Sequence, residues 1–120
     1  MENKRKNRYF NPNSCPVTHF INKIGSKWKT VIIYGISKGY NRFSMLQKGV
    51  PLISKQMLVN QLRELEEDGI IVKTVFPQKP PRVEYELTDY GHSLLPLILT
   101  IQEWGVADMN RENNLKGKMT

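Results

Sequence analysis

Three things are scarce in this sequence of 120 residues: cysteine, long apolar runs and, over the first half, negative charge. One cysteine excludes an intrachain disulfide and an all-cysteine zinc site, and it fits a reducing compartment. No apolar run reaches the roughly 18 residues that a membrane span needs. The start, MENKRKNRYF, lacks the apolar centre of a secretory signal, so a cytoplasmic protein without membrane partners is expected. Glycine-rich phosphate loops and acyl-transfer elbows are absent. His19 and His92 stand apart without zinc spacing or a companion nucleophile, and read as polar filler before ligands. With no catalytic arrangement, metal set or cofactor box, an enzyme is the least favoured class.

What is present is positive charge, unevenly placed. Between Glu2 and Glu64 there is no acid, yet the interval holds twelve bases: Lys4, Arg5, Lys6, Arg8, Lys23, Lys27, Lys29, Lys38, Arg42, Lys48, Lys55 and Arg63. From Glu64 onward ten acids outnumber six bases, so the net +7 divides into +11 and −4. A field this one-sided suits a polyanion. A basic surface kept only for solubility is the bland alternative, but such surfaces intersperse both signs. The 39% hydrophobic and 24% charged fractions describe a soluble globular chain of one domain.

Residues 1–13 are polar, basic and aperiodic, which predicts a flexible N-terminal arm; residues 111–120 predict a flexible tail, leaving 14–110 as the folded domain. Pro16 suits the first position of a helix carrying Phe20 and Ile24 and ending at Gly25. A second, buried helix follows, with Ser26 as cap, Trp28, Ile32 and Ile36 on one stripe and Gly39 as stop. YNRF is a short extended link, and SMLQKG a brief third helix.

The stretch ISKQMLVNQLRELEEDG then reads as a helix capped by Ser54, with Leu58, Leu62 and Leu65 on its inner face and Gly69 as its left-handed stop. Its charges oppose the helix dipole: Lys55 lies in the first turn, while Glu64, Glu66, Glu67 and Asp68 crowd the last. Local stability does not explain that order. Two strands, IIVKTVF and VEYELT, are joined by PQKPPR into a hairpin with Lys79 and Arg82 at tip and rim. Thr88 caps a last helix, expected to bend near His92 because of Pro96. Its apolar face, Leu94, Leu95, Ile98, Ile101 and Trp104, most simply packs against a second copy; folding back on its own core is the alternative.

Three helices followed by a basic hairpin describe a mainly α, α+β fold, the winged helix-turn-helix. A recognition helix enters the major groove with its N-terminal residues nearest the bases, which accounts for a basic leading end and acids left behind in solvent. The sequence also resembles the HxlR-type transcriptional regulators over about residues 14–105. The resemblance rests on the CP pair Cys15 and Pro16, KW at Lys27 and Trp28, RF at Arg42 and Phe43, and the runs LRELEEDGI and PPRVEYELTDYG. It implies a homodimer joined mainly through the first and last helices, Phe20 included, on a two-fold double-stranded DNA operator. That family often has Thr where Val59 stands, replacing a hydroxyl contact with an apolar one.

The groove-facing surface is assigned to Ser54, Lys55, Gln56, Asn60 and Arg63. Gln56 and Asn60 suit adenine edges, Lys55 guanine or phosphate, and Arg63 the backbone. Arg42, Lys79 and Arg82 would grip phosphates from link and wing. The basic arm tracks the backbone or a minor groove, or makes no contact. Cys15, if it caps the first helix, gains thiolate character from the helix dipole; an inert, half-buried thiol is the equal alternative. The resemblance adds that some HxlR-type proteins sense oxidants or electrophiles with a cysteine at the matching place. No small-molecule effector is specified. A low-specificity architectural DNA binder and a winged-helix protein-interaction module remain as competing functions.

Overall fold

A computed structural model describes residues 14–119 of the chain, and the basic residues 4–8 lie outside them. The described chain runs α1 (Pro16–Ile24), α2 (Lys29–Ser37), α3 (Phe43–Gly49), α4 (Lys55–Glu67), β1 (Ile71–Phe76), β2 (Arg82–Leu87), α5 (Asp89–His92) and α6 (Leu95–Met119). The strands form one antiparallel hairpin in the register Ile71 opposite Leu87 through Phe76 opposite Arg82.

Helix boundaries follow local chemistry. Pro16 opens α1, where the missing N–H has no intrahelical use. The Ser26 hydroxyl accepts from the Lys29 N–H at 3.2 Å, but across a preceding turn; Trp28 is the residue at the helix boundary, so α2 starts later than its sequence suggests. Ser54 Oγ accepts from the Met57 N–H at 3.0 Å and caps α4. At the other end Gly69 takes φ 74°, and the N–H groups of Gly69 and Ile70 donate to the carbonyls of Glu66 and Leu65. This double closure satisfies the last carbonyls and turns the chain into β1.

One core unites these elements. It holds Ile24 of α1, Ile32, Ile33 and Ile36 of α2, Leu46 of α3, Leu58, Leu62 and Leu65 of α4, and Ile70, Ile71 and Leu87 beside and within the hairpin. The Thr88 hydroxyl donates to the Gly69 carbonyl at 2.6 Å and accepts from the Gly91 N–H, binding the hairpin's base to α5.

Two expectations for the last helix are corrected. Pro96 does not bend a continuous helix: α5 stops at His92, a turn follows, and Pro96 falls in the first turn of α6, where its lack of an N–H costs nothing. The tail expected at 111–120 is helical through Met119, since no proline interrupts 97–119 and Asp108 pairs with Arg111 one turn on at 3.6 Å.

Candidate nucleic-acid interface

The leucine stripe of α4 is buried, which turns the opposite side outward. Lys55, Gln56, Val59 and Arg63 are exposed there and Asn60 is half-exposed. Ser54 is exposed too, though its oxygen is occupied by capping. Three of these side chains are joined: Gln56 Nε2 donates to Asn60 Oδ1 at 3.1 Å, and Arg63 Nη1 donates to the same oxygen at 3.2 Å. Arg63 Nε also lies 3.8 Å from Glu67 Oε2. Lys55 has no ion pair among the described residues, so the front of the helix keeps its full positive charge.

Link and wing meet each other at β2. The Tyr85 N–H donates to the Asn41 carbonyl at 2.9 Å, attaching the segment before α3 to β2. Arg42 and Arg82 converge on Glu84, with Arg42 Nη2 at 3.7 Å and Arg82 Nε at 3.2 Å from Oε2. The Arg82 contact is ionic and misaligned for a hydrogen bond. Its guanidinium stacks 4.2 Å from the Phe76 ring centre, so one face and one edge are held. A groove of about 460 Å³ opens between them, lined by Arg42, Ser44, Gln78 and Arg82 among others. Lys79 is exposed at the hairpin tip. The structure thus brings Arg42 and Arg82 together and leaves Lys79 apart.

The acids at the rear of α4 face solvent, with Glu66, Glu67 and Asp68 exposed and Glu64 half-exposed. Two of them are paired as well: Glu64 Oε1 lies 2.7 Å from Lys29 Nζ, and Glu67 faces Arg63. Lys29 is buried at 6% exposure and also donates to the Lys23 carbonyl at 3.2 Å. Its charge is largely cancelled at a distance by the Glu64 carboxylate. Buried Gln61 accepts from the Ser26 hydroxyl at 2.6 Å. Lys29, Gln61 and Glu84 are structural partners that the sequence pattern alone does not single out. A signal for the first two exists: Lys29 shares the i, i+3, i+4, i+7 row of Ile32, Ile33 and Ile36, as Gln61 does that of Leu58, Leu62 and Leu65.

Cys15 is half-buried at the N-terminal boundary of α1. The backbone N–H of Thr18, then that of Val17 and the Thr18 hydroxyl, hold its thiol below the ordinary 9.0 against the opposing effect of burial; none makes a full capping hydrogen bond. The apolar face of the last helix divides. Ile98, expected to meet a second copy, is sealed in this chain's own core at 5% exposure, and Phe20, Leu94 and Leu95 pack against that core. After the turn at 93–94, α6 packs against α2. Ile101 and Trp104 stay exposed, Trp104 at 70%, together with Val17 and Ile21 of α1.

A bundle whose α3 and α4 are joined by a tight turn, followed by a hairpin bearing arginine, is a winged helix-turn-helix protein. Residues 23–113 match the family model described as HxlR-like helix-turn-helix. The chain is 43% identical over 109 residues, 91% of its length and 86% of the relative's, to YybR of Bacillus subtilis strain 168, described as an uncharacterized HTH-type transcriptional regulator. The redox regulator HypR in its oxidized form superimposes with a TM-score of 0.74 at 44% identity over 78% of this chain and 96% of HypR. YodB from B. subtilis in its diamide-treated form gives a TM-score of 0.63 at 32% identity, over 78% and 93% of the two chains. The chain belongs to the HxlR-like helix-turn-helix family of DNA-binding transcriptional regulators.

Proposed function

We propose that the protein is a cytoplasmic regulator that recognises a specific double-stranded DNA operator as a homodimer, with α4 in the major groove and the hairpin against the backbone. The observation that carries this reading is the outer face of α4, where uncompensated Lys55 leads and Gln56 and Asn60 follow, opposite three buried leucines. Lys55 meets phosphate or guanine; Arg42, Lys79 and Arg82 hold phosphates and fix orientation without reading sequence. Two copies join through the exposed apolar residues of α6, Ile101 and Trp104 foremost, with Val17 and Ile21 of α1 beside them. Burying such side chains stabilises by about 1.5–3 kcal/mol each when complete.

Cys15 is the sensing residue of this proposal. Its thiol is lowered by the first-turn amides of α1, a helix that lies in the expected dimer contact. HypR and YodB, solved in oxidized or diamide-treated forms, make thiol control a natural reading for a relative. With one cysteine per chain, oxidation ends in a sulfenic acid, a mixed disulfide with a small thiol, or a bridge between subunits.

Selection from a random duplex pool, followed by anisotropy titration, tests both parts. The expected result is one palindromic sequence bound about 10³-fold or more above bulk DNA, with affinity changed by diamide in the parent and not in Cys15→Ser. Uniform affinity for all duplexes would instead make it an architectural binder, and no salt-sensitive binding at all would make it a protein-interaction module.

A further inference from the structure

The joined side chains on α4 carry more than solvation of a helix face. Arg63 is a pure donor, so the Asn60 atom that meets its Nη1 at 3.2 Å has to be the oxygen. That fixes an amide orientation which is otherwise ambiguous. Gln56, which meets the same oxygen at 3.1 Å, then has to present its NH₂ to Asn60. Both lone pairs of Asn60 Oδ1 are used. Among the described residues, Gln56 Oε1 and Asn60 Nδ2 have no protein partner, and they are the polar atoms these two amides have left to offer a ligand.

We infer that Arg63, steadied by Glu67, is a specificity-setting residue that orients Asn60 and Gln56, and that it does so in place of a backbone phosphate contact. The inference rests on the placement of α4 in the major groove proposed above. An asparagine reads adenine in two-point fashion only with both its oxygen and its NH₂ free. While Arg63 holds the oxygen, that contact is closed. The face presents instead an acceptor at Gln56 and a donor at Asn60, on residues one helical turn apart. The acceptor selects an amino-bearing base, adenine or cytosine. The donor takes purine N7, guanine O6 or thymine O4 and finds nothing on cytosine. Removing Arg63 lets the Gln56–Asn60 pair turn over and restores the two-point adenine contact.

The test is random-duplex selection and salt titration with the full chain and with Arg63→Met, an exposed position where a helix-compatible side chain preserves folding, as checked by circular dichroism. The inference expects enrichment to shift toward adenine at the base pair facing Asn60 and from an amino-bearing toward an acceptor-bearing base at the one facing Gln56, positions outside these two to hold, and the slope of log affinity against log salt to stay as in the parent. Glu67→Gln should shift the same base pair less. A slope reduced by about 1 with unchanged base preference would make Arg63 a phosphate contact and overturn the assignment. If the parent chain selects no sequence, the DNA-reading proposal itself fails and the inference falls with it.

Discussion

Lys29 Nζ of α2 and Glu64 Oε1 of α4 lie 2.7 Å apart, and the same ammonium reaches the last-turn carbonyl of Lys23 in α1 at 3.2 Å. One buried cation thereby ties α1, the helix that follows Cys15, to the helix that carries Gln56 and Asn60. The two ends of the pair are unequal, with side-chain exposures of 8% for Lys29 and 43% for Glu64.

That inequality predicts which half matters. Glu64→Gln leaves a charged ammonium buried against a weaker acceptor, and should cost about 2 kcal/mol, less than the roughly 3–5 kcal/mol of a fully enclosed pair. Lys29→Met fills the same space and leaves a carboxylate that water can reach, so about 1 kcal/mol or less is expected. Urea unfolding of both variants decides. The reverse order would show that the ammonium is better solvated than its burial implies.

Acid should expose the same pair. The hydrogen bond from Lys29, then its charge and that of Arg63, hold the Glu64 carboxyl below its ordinary 4.5 despite partial burial. A carboxylate depressed on folding stabilises fully above its unfolded value and loses that contribution as pH falls through the folded one. Below about 4.5 the parent should therefore lose stability faster than Glu64→Gln. Parallel curves of unfolding free energy from pH 6 to about 3 would remove the pair from the account.

Leu52, in the turn between α3 and α4, has φ 69° and is 95% exposed. A leucine there bears roughly 1–2 kcal/mol of backbone strain and no packing offsets it. Leu52→Gly should leave stability unchanged or raise it by up to about 1 kcal/mol, and Leu52→Val should lower it. Thermal melts of the two variants check this; a clearly lower Tm for the glycine variant would mean that the side chain packs.

Gly91 is constrained by space. A Cβ there would fall 2.1 Å from the Ile70 carbonyl oxygen, a backbone atom held by Thr88. Gly91→Ala should cost about 3 kcal/mol. A loss under about 1 kcal/mol in urea would show that α5 slides freely over the hairpin's base.

Sequence patterns disclosed what neighbours in the chain decide. The Ser54 cap, the Gly69 stop, the leucine row of α4 and the hairpin each depend on residues within a few positions. Lys29 with Glu64 and Ser26 with Gln61 are separated by 35 positions, and partners at that distance are set by packing of whole helices. Charge arithmetic along the chain places Lys29 among the free bases for the same reason, since a pairing partner 35 positions away is invisible to it. Pro96 implied a bend near His92, but whether a proline bends a helix or begins one depends on the turn at 93–94. Ile98 looked like its neighbours Ile101 and Trp104 because one stripe can face its own core at one end and solvent at the other.

The measurement closest to the centre of this account is the ratio of affinities for selected and scrambled duplex, taken for the parent chain and for Gln56→Ala/Asn60→Ala at one salt concentration. Loss of the two reading side chains should lower binding to the selected duplex by about tenfold or more and leave scrambled DNA almost unaffected, since phosphates are held by Lys55, Arg42, Lys79 and Arg82. An unaltered ratio would mean that sequence is read elsewhere and that α4 is not the recognition helix.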